Sequence, residues 1–289
     1  MPKRKRIAAD DIYCFYRRNG GGTIWVRDSL GRCDGFIING DQVKYVSGGE
    51  STLGPDYGRT DWSNSVRFTA NIGPKNEIIS RFTRTRESQK LSSGEIQLSP
   101  NASANQRAPN QGMSGIMHQV TGIENCSATT FVNWYKQQTF PEHTLLNQPQ
   151  WEWCHLLAHC MGGVSGEENI VIGAKHNNSE QMYIENAIQR YRKEEAFAVK
   201  ITAACLDDIK KPGGYIASVI EYKIIAIDDR STQLTLYLDC LNPPKPSEIH
   251  QENVIAEVAS FCNKMLSRFA PQVSAREKNL IKRYIAENG

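Results

Sequence analysis

Residues 154–178, CHLLAHCMGGVSGEENIVIGAKHNN, bring His155, His159 and His176 together with a Gly-Gly turn, a short apolar run and the pair Asn177-Asn178. A neutral imidazole accepts protons near pH 7. An asparagine carbonyl oxygen is a hard, neutral ligand for a small divalent cation such as Mg²⁺. Glu185 offers a carboxylate that can hold such an ion or one of its waters, and Arg190 adds positive charge. Phosphodiester hydrolysis asks for these groups: a base for water, counter-charge on the phosphate, and stabilisation of the leaving oxygen. In that reading His155 is the general base and Asn178 the metal ligand. Glu185 is a ligand or catalytic water holder, and Arg190 and Lys175 stabilise the phosphate.

Positioning them takes two strands and a helix. WEWCHLL is apolar and aromatic and suits a strand ending near His155, and NIVIG is a second short strand after the turn. Met182, Ile184, Ala187, Ile188 and Tyr191 then recur at helical intervals, with Asn177 or Asn178 as the cap. Glu185 follows Asn178 by seven residues, about two turns, so both point the same way and can share a cleft with His155. Each residue also has a plain structural reading. His155 could be a hydrogen-bonded core histidine, His159 a turn stabiliser, His176 a phosphate donor or a loop residue, Asn178 a cap only, and Glu185 a surface carboxylate. Trp151 and Trp153 read as core aromatics. Cys154, His155, His159 and Cys160 form the ligand set of a structural zinc. All four fall within seven residues, too short a stretch to wrap tetrahedrally around one ion. A Cys-His thiol catalyst lacks any supporting partner pattern.

The stretch CHLLAH…GG…ENIVIGAKHNN…E resembles the ββα-metal nucleases, which include the HNH endonucleases and the DNA/RNA non-specific endonucleases. The resemblance spans roughly 40 residues, and its sharpest element is Asn169-Ile170 preceding Asn178 by nine. It implies a ββα-metal core and a single divalent ion, Mg²⁺ or Mn²⁺. His155 would activate water, Asn178 would bind the ion and Asn169 would tie the loop, with His159 as further support of the site. The chain departs from the non-specific branch at Glu152-Trp153-Cys154, where that branch carries Asp-Arg-Gly. In the HNH branch position 154 is a metal ligand, and a cysteine there is a soft donor for a hard ion. The non-specific branch is the better match.

The rest of the 289-residue chain frames this stretch. Hydrophobic content of 39% and charged content of 22% describe a globular protein with a sizeable core. No window reaches 18 uninterrupted apolar residues and MPKRKRIAADD is no secretory leader, so neither a membrane partner nor export is expected. A cytoplasmic location follows, or a nuclear one in a eukaryote through the basic arm Pro2-Lys3-Arg4-Lys5-Arg6. Eight cysteines without CxxC spacing read as buried free thiols. The first hundred residues alternate strand and turn signals, with NGD at 39–41 a hairpin turn and RFTRTR at 81–86 a basic strand. Residues 91–115, rich in Ser, Asn, Gln, Pro and Gly, read as a linker.

TTFVNWYKQQTF suits a helix, FAVKITAACL, YIASVIEYKIIAID and TQLTLYLDCL suit strands, and two helices close the chain over 247–269 and 274–287, the first with an apolar stripe of Val254, Val258, Phe261 and Leu266. The expected fold class is α+β: a β-rich module at 1–110, then a nuclease domain at 111–289 with a mainly antiparallel sheet on which the C-terminal helical pair packs. The expected function is divalent-metal-dependent endonuclease action on nucleic acid, DNA ahead of RNA. A restriction, defence or toxin effector would suit the pairing of modules, and a homodimer is left open. The competing reading is a non-catalytic nucleic-acid-binding protein that uses its basic arm with Arg81, Arg84 and Arg86.

Overall fold

Strand signals broken by short turns give a first sheet of four antiparallel strands: β1 (Ile12–Arg17), β2 (Ile24–Asp28), β3 (Cys33–Asn39) and β4 (Gln42–Gly48), paired in chain order. The computed structural model describes residues 6–18, 21–48, 85–86, 95–97, 126–139, 150–158, 170–191, 194, 196–206, 215–241 and 251–289. The hairpin expected at Asn39-Gly40-Asp41 forms. Asn39 pairs with Gln42, and Gly40 adopts the left-handed φ of 62° that such a two-residue turn requires.

A second, central sheet has the order β11 (Gln233–Asp239), β10 (Ala217–Ala226), β9 (Phe197–Leu206) and β5 (Thr85–Arg86), with β6 (Glu95–Gln97) also on β9. All its pairings are antiparallel, as the strand patterns led us to expect. The hairpin β7 (Trp151–His155) and β8 (Ile170–Ala174) lies at the end of that sheet. There the Ile172 amide donates to Tyr215 O (2.6 Å) and the Ala174 amide to Cys240 O (2.9 Å). The helices are α1 (Ala128–Thr139), α2 (Lys175–Gln189), α3 (Gln251–Leu266) and α4 (Ala275–Asn288), with a 3₁₀ turn at Ser267–Gln272.

Both faces of the first sheet are covered, which explains its nearly continuous apolar runs. By strand alternation Cys14 and Tyr16 point one way, into the main core with α2, α3 and the central sheet. Phe15 points the other way, into a separate core with Ile24, Val26, Phe36 and the α4 residues Ile281 and Ile285. This corrects the expectation that both C-terminal helices pack on the nuclease domain. The apolar stripe Val254, Val258 and Leu266 of α3 joins the main core, while α4 closes the N-terminal sheet. A capping box at Ser274 and Glu277 starts α4 cleanly.

Two expectations about the first hundred residues also change. Residues 95–97 lie in the stretch read as a linker, yet they form β6 on β9, opposite Ala198, Val199 and Lys200. β5 pairs with the same strand, so the boundary at residue 110 does not follow the backbone pairing. Three short residues, Glu-Ile-Gln, carry too little pattern to register as a strand without their partner. Of the basic strand, Arg86 is in β5; Arg81 and Arg84 lie outside the described residues.

The two halves are joined by a buried charge cluster. Arg27, on β2, has no exposed surface; it meets Glu194 Oε1 at 2.5 Å and donates to Tyr16 Oη (3.1 Å) and Gly31 O (2.6 Å). Its guanidinium lies 4.3 Å from the centre of the Tyr191 ring. Glu194 also accepts from Arg18 Nε (3.3 Å) and Nη2 (3.1 Å). Burial pushes the Glu194 carboxyl up, but Arg27 and then Arg18 more than offset it and hold it below the usual carboxylate range. Gly31 has a φ of 80°, and a Cβ there would meet the Tyr191 hydroxyl at 2.7 Å, so the β2–β3 turn approaches α2 closely.

Among the described residues no helix is long and apolar enough to cross a membrane. Among the described residues, Cys14, Cys33, Cys126, Cys154, Cys240 and Cys262 are buried thiols outside any disulfide.

Candidate active site

The hairpin and α2 follow one another in the order β-β-α. β7 and β8 pair over their full length, from Trp151 opposite Ala174 to His155 opposite Ile170, and α2 starts at the next residue, Lys175. The helix begins three or four residues earlier than a cap at Asn177 or Asn178 would place it: Ala174 is its N-cap and contributes no side-chain bond. Asn177 and Asn178 are therefore inside the first turn and neither caps it.

The pleat sorts β7 into two faces. Glu152 and Cys154 point at α2: Asn178 Nδ2 donates to Glu152 Oε2 (2.9 Å), and Asn177 Nδ2 is 3.8 Å from Cys154 Sγ. Trp151 and Trp153 point at α1, where Trp153 Nε1 donates to Cys126 O (3.2 Å) and its ring is 6.1 Å from that of Phe131. Both tryptophans thus serve the core, as their composition suggested. His155 ends the strand, half-buried, on the Trp153 side by alternation, and its carbonyl accepts from Gln181 Nε2 (3.0 Å). Asn178 therefore meets Glu152, about 10 Å along the strand from His155. Glu152 stood out in the sequence only as a departure from the family pattern, yet it is the carboxylate beside the asparagine.

A polar stripe runs down the inner side of α2 at four-residue intervals: Asn177, Gln181 and Glu185. Asn177 is fully buried, accepting from Cys240 Sγ (3.2 Å) and donating to Gln181 Oε1 (3.3 Å). Gly173 makes room for it, since a Cβ there would stand 2.6 Å from Asn177 Nδ2. Gln181 also donates to Tyr222 Oη (3.0 Å). Glu185 is buried at 8% exposure, not on the surface, and burial lifts its carboxyl to about 8 although the Tyr222 hydroxyl bonds it. It therefore holds a proton at neutral pH unless a cation draws it off. Burial likewise pushes the Cys154 thiol up to about 12, partly opposed by Asn177, so it is no ready ligand for a hard ion. The four-residue spacing of this stripe is visible in the sequence, and it runs beside the apolar positions Ile184, Ala187, Ile188 and Tyr191, which are buried in the main core as their periodicity suggests.

Three other expected positions resolve differently. Lys175 is exposed at the head of α2, beside a first turn with no acidic residue, where the helix dipole favours anions. His176 belongs to the helix and not to a loop, and its Nε2 lies 3.2 Å from Asp239 O. Arg190 follows the far end of α2, about 18 Å along the axis from Asn178, and its Nη1 donates to Leu30 O (2.6 Å). Its expected contact with the same phosphate as Asn178 is corrected accordingly: Arg190 braces the β2–β3 turn. His159 and Asn169 lie outside the described residues.

Among the described residues no group of three or more His, Cys, Asp or Glu side chains is arranged to hold a metal ion. The Glu152 carboxylate and the Asn178 amide oxygen are hard donors of the kind a divalent cation takes, and in this structure the two side chains meet through Asn178 Nδ2. Comparison with protein-family models, curated proteins and solved structures returns no match.

Proposed function

We propose that this protein is a divalent-metal-dependent endonuclease that hydrolyses nucleic-acid phosphodiesters, DNA ahead of RNA. The observation that supports it is the contact of Glu152 with Asn178 across the strand–helix gap, within a β-β-α unit whose first strand ends in His155. Glu152 and Asn178 would hold one Mg²⁺ or Mn²⁺, which supplies counter-charge to the phosphate and lowers the pKa of bound water. Asn178 and Lys175 bring polar and positive groups to the head of α2, whose first-turn amides favour a phosphate oxygen. His155, at the strand end on the opposite face of β7 and about 10 Å along the strand from the Glu152–Asn178 contact, would accept the proton of the attacking water through intervening water, not from a water that it shares with the ion. Glu185, protonated and bonded to Tyr222, is suited to hold a proton in reserve, more so than to bind the ion directly.

Plasmid DNA, single-stranded DNA and RNA incubated with the purified chain, with Mg²⁺, Mn²⁺ or chelator, test this reading. Cleavage that needs the metal and is lost in His155→Ala and Asn178→Ala, with the fold retained, is the expected result. Binding of nucleic acid without any metal-dependent cleavage would refute it in favour of a non-catalytic binder using the basic arm and Arg81, Arg84 and Arg86.

A further inference from the structure

Where β1, the segment after α2, the start of β9 and the end of α3 meet, there is a cavity of about 170 Å³. Ala196, Ile227, Leu266 and Phe269 give it apolar surface. Tyr16, Arg18 and Glu194 give it a polar wall, joined by Arg17 and Asp228.

The charged groups on these walls are not paired one to one. Arg17 pairs with Glu277 (2.5 Å) and gives its other donors to Gln272 O and Gly22 O. Asp228 pairs with Arg268 Nη1, 3.2 Å from each oxygen. Arg268 Nη2 also lies 3.7 Å from Asp229, so on that side one guanidinium serves two carboxylates. Glu194, in contrast, is a single carboxylate serving two guanidiniums, Arg27 and Arg18. The groups around Arg27 that could carry negative charge, Tyr16, Tyr191, Cys14, Cys33 and Cys262, are held protonated by burial. Among the described residues Glu194 is thus shared by two guanidiniums, one of them fully buried and one partly exposed. Arg18 is the partly exposed one, at 26% side-chain exposure, and it lines the cavity. Its Nε and Nη2 donate to Glu194, its plane is stacked 4.3 Å from the centre of the Trp25 ring, and its Nη1 donates to none of the described residues. A guanidinium has five N–H donors, so a fixed fork with spare donors faces an apolar-walled space.

We infer that this cavity binds a small amphipathic anion, a monocarboxylate whose head group is held by Arg18 and whose apolar body lies against Ile227, Leu266 and Phe269. The volume is enough for a short aliphatic or single-ring acid. Glu194 and Asp228 exclude multiply charged anions, because any second negative group would lie against a carboxylate. The site stands apart from the β7–β8–α2 unit and does not depend on the nuclease reading.

Titration of the full chain with benzoate and hexanoate, followed by calorimetry and ligand-observed NMR, tests the inference, with benzamide as the uncharged isostere. The expected result is saturable binding in the millimolar range or tighter, weakened at least about tenfold for benzamide. Arg18→Gln removes the head-group contact and Ala196→Phe fills the cavity, so each abolishes binding. No saturable binding of either acid, equal binding of benzamide, or binding that persists in either folded variant overturns the proposal. The benzamide comparison uses the unaltered chain and stands whether or not the variants fold.

Discussion

Replacing Glu194 by leucine would leave Arg27 with no counter-ion and no solvent. Arg27 has no exposed surface, and Glu194 is its only carboxylate partner among the described residues. Removing one member of a buried pair costs about 3–5 kcal/mol, against a total stability of about 5–15 kcal/mol for a typical domain. Arg18 adds less, because at 26% side-chain exposure it can turn to water. We expect Glu194→Leu to lose about 3–4 kcal/mol in urea unfolding, with a melting temperature lower by roughly 10 °C.

The double variant Glu194→Leu/Arg27→Met should recover much of that loss, since apolar replacement of a whole buried pair is far cheaper than halving it. The pH dependence has a defined sign. A carboxyl held below its ordinary value stabilises the fold fully above the unfolded pKa, about 4.3, and that contribution fades as pH falls through the folded value. Glu194→Leu should be flatter than the parent chain across that acidic window. A loss below about 1 kcal/mol, the size of a surface pair, or a double variant no better than the single one, would refute the reasoning.

Glu185 behaves in the opposite sense. Its folded pKa of about 8 lies above the unfolded value, so its stabilisation is complete below about 4.3 and is lost as pH rises towards 8, at most roughly 1.4 kcal/mol per unit. Glu185→Gln should therefore be more stable than the parent at pH 8 and similar at pH 4, as read by urea midpoints at the two values. Gly173→Ala drives a methyl into Asn177 Nδ2 and should cost about 1–3 kcal/mol, with Asn177 displaced in a crystal structure of the variant. Arg190→Ala loses the bond to Leu30 O and should cost about 0.5–1.5 kcal/mol while leaving any nuclease rate unchanged; a large fall in rate with stability intact would restore Arg190 to the phosphate.

Local signals were strong where one segment carries its own pattern. The Asn39-Gly40-Asp41 turn, the α3 stripe of Val254, Val258 and Leu266, and the hairpin-then-helix order around His155 were all legible in the chain. What was not legible depends on partners distant in sequence. β6 becomes a strand because β9 offers it an edge, and α4 leaves α3 because Phe15 and Phe36 present an apolar face to it. At the candidate site, the start of α2 was read from apolar periodicity, yet the chain turns helical as soon as β8 ends. That earlier start places Asn177 in the interior and leaves Asn178 facing Glu152. Arg190 shares a helix with Asn178, and helical rise alone separates them too far for joint work.

The pairing of Glu95 with Lys200 has a consequence for how the molecule is made. About a hundred residues separate the two strands, so on a growing polypeptide the earlier one leaves the ribosome several seconds before its mate is synthesised, at roughly 5–20 residues per second. Until then the edge of β6 is open, and nascent chains stalled upstream of Phe197 would expose it to neighbours. Production of this protein should accordingly profit from conditions that shield early translation products, and C-terminally truncated fragments ending before β9 should precipitate.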